Sequence, residues 1–143
     1  MIKGVAVTKL KQIGNEKGDV YHALKYSDGQ FHGFGEAYFS HVLPNEIKGW
    51  KKHSEMVLNL IVPVGKIKFV VFDDRPTSDS CGEFFEIVLG PNNYYRLTIA
   101  KDLWVAFQGV ESGDNILLNI ANIEHDPNES TNKELSEIGY IWE

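Results

Sequence analysis

A chain of 143 residues, 43% of them apolar, is long enough to bury one core, and 1–143 reads as a single domain. A formal net charge of −6 argues against nucleic acid or an anionic membrane as partner. A single cysteine, Cys81, rules out an intramolecular disulfide, and no stretch approaches the roughly 18 apolar residues that cross a bilayer, so a cytoplasmic location is expected.

Lys3, Lys9, Lys11 and Glu16 interrupt the first residues, which therefore lack the apolar region of a secretion signal. A turn at Ser27-Asp28-Gly29 precedes a strand over 34–40. Next comes a polar block, Lys48-Gly49-Trp50-Lys51-Lys52-His53-Ser54-Glu55-Met56, which feeds into the most apolar strand, over 57–65. A β-rich run over 67–72 ends at the turn Asp73-Asp74-Arg75-Pro76, and a strand over 84–89 closes at Gly90-Pro91-Asn92-Asn93. Strands over 94–99, 103–107 and 115–120 follow. The only helical pattern is short, over 129–135, with Asn128 or Ser130 as N-cap. Short strands at regular spacing, separated by Gly, Pro, Asn and Asp, predict an all-β jelly-roll barrel with very little helix.

In an extended segment Lys51, His53 and Glu55 share one face. They read either as a cation, an imidazole and a carboxylate at the mouth of a buried pocket, or as a solvated strand with charged side chains. Asn59 and Asn119 are polar within apolar strands, so they either bond the barrel wall or point at a ligand. His125 is either oriented by Asp126 or part of a turn closed by Asp126-Pro127.

The run Asp73-Asp74-Arg75-Pro76-Thr77-Ser78-Asp79-Ser80-Cys81-Gly82 resembles the D-x-R-x-x-S-x-T-F-G signature of the dTDP-4-dehydrorhamnose 3,5-epimerases, small cupin-like jelly rolls that usually pair as dimers. Asn93-Tyr94-Tyr95-Arg96-Leu97-Thr98-Ile99 followed by Trp104-Val105-Ala106-Phe107 resembles their N-x-x-x-L-x-I-P-x-G-F-A-H-G-F. Phe34-Gly35-Glu36-Ala37-Tyr38 resembles F-x-E-x-F, and Lys48-Gly49-Trp50-Lys51 resembles R-G-L-H. The pieces occur in the right order over about 28–129. The resemblance implies proton abstraction beside the keto group of a nucleotide-linked deoxysugar, in polysaccharide synthesis, by a homodimer without a cofactor.

The family's catalytic positions are not conserved in kind. Its base histidine falls on Lys51, its enolate-binding lysine on Leu58, its later histidine on Val105 and its tyrosine near Asn119. The C-terminal aspartate that orients the family's base finds no match. Gly49-Trp50-Lys51-Lys52-His53 is similar to the H-x-H spacing of the nucleotide-sugar 3,4-ketoisomerases, with His53 at the second histidine. A catalytic metal is not expected, because Lys51 stands at the first ligand position and a cation repels one.

The resulting expectation makes His53 the proton-transfer group and Lys51 the cation that stabilises an enolate. Glu36, Asn59, Asn119 and His125 are candidate polar contacts to the substrate. Lys66 and Arg96 are candidates for the diphosphate. Trp104 and Gln108, on the strand that resembles the family's pocket wall, are candidates for the base or sugar. Arg75 is expected to tie strands together through Asp73. The alternative is a jelly roll that binds a sugar nucleotide without catalysis.

Overall fold

The computed structural model describes residues 1–143. Two five-stranded antiparallel sheets face each other. The strands, in chain order, are β1 (Val5–Lys9), β2 (Gln12–Ile13), β3 (Val20–Tyr21), β4 (Glu36–His41), β5 (Ile47–His53), β6 (Leu58–Val64), β7 (Ile67–Phe72), β8 (Phe84–Leu89), β9 (Tyr95–Ile99), β10 (Trp104–Gly109), β11 (Ile116–Ala121) and β12 (Ser130–Asn132). The first sheet runs β1-β9-β6-β11-β4 and the second β12-β5-β10-β7-β8, while β2 and β3 form a separate hairpin. This is the expected cupin-like jelly roll.

The core follows from alternation. Leu58, Leu60 and Val62 from β6, with Leu97 and Ile99 from β9, face Phe69 and Val71 of β7 and Val105 of β10 between the sheets. The opposite faces are covered as well. Ile61 packs outward against Leu10 and Tyr94, under the N-terminal segment. Because both its faces are covered, β6 is almost wholly buried and reads in the sequence as an unbroken apolar run.

The last residues depart from expectation. No helix forms over 129–135: Ser130–Asn132 adds an edge strand, pairing Ser130 with His53 and Asn132 with Lys51, and a single 3-10 turn follows at Leu135–Glu137. Backbone bonds between Trp50 and Lys133, made in both directions, extend this pairing. A seven-residue helical pattern is too short to form alone, and the open edge of β5 offers its backbone groups a better set of partners. Ile138, Tyr140 and Trp142 then cross the outside of the second sheet and pack around Trp50, Val70 and Trp104. Tyr140 and Trp142 are therefore part of an outer core.

The Asp73 turn is held as expected for Arg75. Nε and Nη2 of Arg75 donate to the two oxygens of Asp73 at 2.8 and 2.9 Å, and Nη2 reaches the carbonyl of Lys3 at 2.7 Å. Ser78 and Ser80 each donate to Asp73 at 2.6 Å.

Candidate active site

Strand β5 builds the site. Its pairing with β10 slips between Val105 and Phe107, which are opposite Lys51 and Lys48. The bulge is at Gly49 (φ +139°), where a Cβ would lie 2.5 Å from the Ala106 Cβ. On either side of it alternation is clean. Trp50 and Lys52 face outward, Lys52 to Asp74 at 3.2 Å and over the Trp104 ring at 4.9 Å. Lys51 and His53 face inward, into a cavity of about 510 Å³ between the sheets.

One wall of that cavity is apolar: Leu58, Leu60, Val105, Phe107 and Leu117. Its polar side brings together His53, Lys51, Tyr38, Ser40 and Asn119. Lys48, Lys133, Glu134 and Glu137 also line it. Lys48 Nζ donates to Ser40 Oγ at 3.1 Å and to the His41 carbonyl at 2.8 Å, joining β5 to the edge strand of the opposite sheet.

The carboxylate beside His53 comes from Glu129, a buried residue 76 positions later in the chain. Glu129 Oε1 lies 2.7 Å from His53 Nδ1, while Oε2 accepts the amides of Glu55 and Met56 at 3.0 and 2.9 Å. Burial pushes the Glu129 carboxyl up, but the bonds from His53 and the two amides outweigh it, and its pKa is lowered below the usual range. An ionised Glu129 accepts a hydrogen bond from Nδ1–H, which leaves the lone pair of the neutral ring on Nε2. Glu55 itself is exposed and contributes only its amide, because β5 ends at His53 and the alternation stops there. The carboxylate beside His53 is thus Glu129 and not Glu55.

Asn119 sits on the cavity wall, 1% exposed, with Nδ2 donating to the Tyr38 hydroxyl at 3.1 Å. The two residues are direct cross-strand partners on β11 and β4. The position that resembles the family's tyrosine therefore holds an asparagine that carries a tyrosine from the next strand.

The other expected contacts lie elsewhere. Asn59 and Arg96 face the outside of the first sheet. There Asn59 Oδ1 accepts from Arg96 Nε at 3.1 Å and from Thr98 Oγ1 at 2.6 Å. Arg96 also donates to the Ala23 carbonyl and pairs with Asp28, each at 2.8 Å. Trp104 points to the outer core and donates to Asp74 Oδ2 at 2.8 Å. Gln108, on the same face of β10, bonds the Asn45 carbonyl at 3.3 Å. Lys66 pairs with the exposed Glu111 at 3.2 Å. Glu36 opens β4 outside the cavity lining. His125 is exposed in the turn where Asp126 accepts the amide of Asn128. Asn59, Arg96, Trp104 and Gln108 have the wrong parity for the cavity, whereas Glu36 shares the parity of Tyr38 and Ser40 but lies at the far end of β4, and Lys66 and His125 lie between strands.

Tyr38, Lys133, Glu134 and Glu129 were not expected at the site, whereas Lys48 belongs to the polar block that leads into it. Tyr38 had a signal, because it alternates with Ser40 on a strand that was recognised. Glu129 had none, since only the pairing of β12 with β5 brings it to His53. No group of three or more His, Cys, Asp or Glu side chains is placed to hold a metal ion.

No protein-family model matches the chain. A solved dTDP sugar isomerase from Desulfovibrio desulfuricans G20 is 36% identical, with 99% of this chain and 92% of that one covered and a TM-score of 0.95. The probable low-salt glycan biosynthesis epimerase Agl13 of Haloferax volcanii is 25% identical over 82% of this chain and 77% of its own length. The spore coat polysaccharide biosynthesis protein SpsL of Bacillus subtilis is 23% identical over 99% of this chain and 97% of its own. On that identity and coverage, and with the jelly roll and its histidine-bearing cavity in place, the chain belongs to the family of dTDP-sugar isomerases and related epimerases.

Proposed function

We propose that this chain is a nucleotide-sugar epimerase or isomerase that moves a proton beside the keto group of a dTDP-linked keto-deoxysugar, in polysaccharide synthesis. The observation that carries the reading is the Glu129–His53 contact at 2.7 Å, which holds His53 on the polar side of a cavity whose opposite wall is apolar. His53 Nε2 takes the proton from the carbon next to the carbonyl, and the electron pair moves onto the carbonyl oxygen. The ammonium of Lys51 stabilises that enolate oxygen. Tyr38, held by Asn119, returns a proton to carbon, and the imidazolium of His53 is stabilised by Glu129 until it releases its own.

Incubation with a dTDP-4-keto-6-deoxyhexose in heavy water tests this. Deuterium should appear at C3 or C5 of the sugar with the native chain and should be absent with His53→Ala. Binding without label would favour the alternative, a sugar-nucleotide-binding module without catalysis. Absence of both would exclude this substrate class.

We also propose that the chain works as a homodimer. Phe34 and Phe39 are 65% and 70% exposed on and beside the edge strand β4, and such apolar area suits a second copy. Size-exclusion chromatography with light scattering should give twice the monomer mass of 16.2 kDa. No helix is long and apolar enough to cross a membrane, and a cytoplasmic location suits the exposed free thiol of Cys81.

A further inference from the structure

We propose that a groove on the outer face of the first sheet, on the other side of β6 and β9 from the catalytic cavity, is a second anion site that holds a phosphate or diphosphate group. It has a volume of about 210 Å³, which admits such a group and not a whole nucleotide sugar. Lys9, Lys11, Lys25 and Arg96 line it, with Asp28 as its only carboxylate. Lys9 turns its ammonium over the Tyr95 ring at 4.9 Å, which leaves three cations, Lys11, Lys25 and Arg96, beside one acid in a chain of net charge −6. A concave cluster of cations focuses the field on an anion.

The floor is pre-organised. The Leu10 amide bonds the Tyr94 carbonyl at 3.3 Å, and the His22 amide bonds the Lys11 carbonyl at 2.9 Å. The Tyr94 hydroxyl donates to the His22 carbonyl at 2.8 Å and Arg96 Nη1 to that of Ala23 at 2.8 Å. The Lys25 carbonyl accepts the Asp28 amide at 3.0 Å, and the ammonium groups of Lys11 and Lys25 make no hydrogen bond. Arg96 is completely buried, so its charge needs a counter-ion, and Asp28 supplies it at 2.8 Å from the partly buried rim. A bound phosphate would share that guanidinium with Asp28 and recruit the lysines that Asp28 alone cannot satisfy.

Isothermal titration of the full chain with pyrophosphate, beside thermal melts with and without it, tests the site. Binding should survive in the cavity variant Lys48→Ala/Lys133→Ala and weaken at least tenfold in Lys11→Ala/Lys25→Ala. The control Lys3→Ala/Lys17→Ala should bind as the native chain does. In Asp28→Asn, which removes the competing carboxylate, pyrophosphate should bind more tightly and raise the melting temperature by more than in the native chain. The proposal is overturned by no binding at millimolar pyrophosphate, by loss confined to the cavity variant, or by equal weakening in the control. Because the readout is binding to the groove, it stands or fails independently of any catalysis in the cavity.

Discussion

The carboxylate of Glu129 and the imidazole of His53 meet at 2.7 Å although 76 residues separate them in the chain. The meeting is produced by backbone pairing: Ser130 stands opposite His53 in register, so the residue before it falls beside the ring. With one oxygen on the ring and the other on two amides, the carboxylate fixes both the position of His53 and its tautomer. Side-chain exposures of 13% for His53 and 6% for Glu129 keep water from competing for that bond.

The contact gives the first prediction. His53→Ala should lower deuterium incorporation into the keto sugar by about 10²–10⁴-fold, the usual contribution of a positioned base. Glu129→Gln keeps the shape but weakens the hold on the Nδ1 proton, so the rate should fall by between about 10-fold and 10⁴-fold with KM little changed. Isotope exchange followed by mass spectrometry reads both. A Glu129→Gln chain that exchanges as fast as the native one would mean that the carboxylate only holds the fold.

A second prediction separates the base from the acid. Tyr38→Phe removes the hydroxyl that accepts from Asn119 but leaves His53 and Glu129 in place. Deuterium should still enter the substrate through His53, while conversion to product falls by about 10²-fold. Parallel measurement of label and product by NMR decides the matter, and an equal fall in both would remove Tyr38 from the second proton transfer.

The strands β4 and β6 to β11 were legible to within two residues, because apolar runs between turn residues carry their own bounds. Strand β5 was masked by its lysines, although Trp50, its one fully buried side chain, marks the face that packs. His53, Lys51 and Asn119 line the cavity, as the alternation of Lys51 with His53 and a polar residue within an apolar strand suggest. Asn59, Arg96 and Trp104 were equally conspicuous, yet they face the other way. An N-terminal segment and a C-terminal tail cover the outer faces, so burial no longer distinguishes inside from outside. Glu129 became visible only once the chain had folded, because its partner is fixed by strand register.

The bulge in β5 is a third test. Gly49 has φ +139°, and an added Cβ would approach the Cβ and Cα of Ala106 to 2.5 and 2.7 Å. Backbone atoms cannot yield as a flexible side chain can. Gly49→Ala should therefore cost about 1–3 kcal/mol in urea denaturation. Since Lys51 and His53 follow within four residues, it should also slow isotope exchange, whereas Gly18→Ala, at a glycine with nothing within 4 Å, should leave exchange unchanged.

The last prediction concerns acid. Asp73 is fully buried, and the Arg75 guanidinium holds its carboxyl far below the usual range; burial opposes this, while Ser78 and Ser80 reinforce Arg75. In the unfolded chain the same carboxyl takes up a proton at pH ~4, whereas in the folded chain it stays ionised to much lower pH. A depressed folded pKa means stability that is complete above the unfolded value and drains away as pH falls toward the folded one. Urea midpoints should thus be flat from pH 7 to about 5 as far as this group is concerned, then drop steeply below about 4. Asp73→Ala leaves Arg75 without its partner and should cost about 3–5 kcal/mol at pH 7. It should also flatten the acid limb of the profile, so that the two chains converge at low pH. An equal gap between them at pH 7 and at pH 3 would show that Asp73 acts by shape alone and that its charge contributes nothing to the fold.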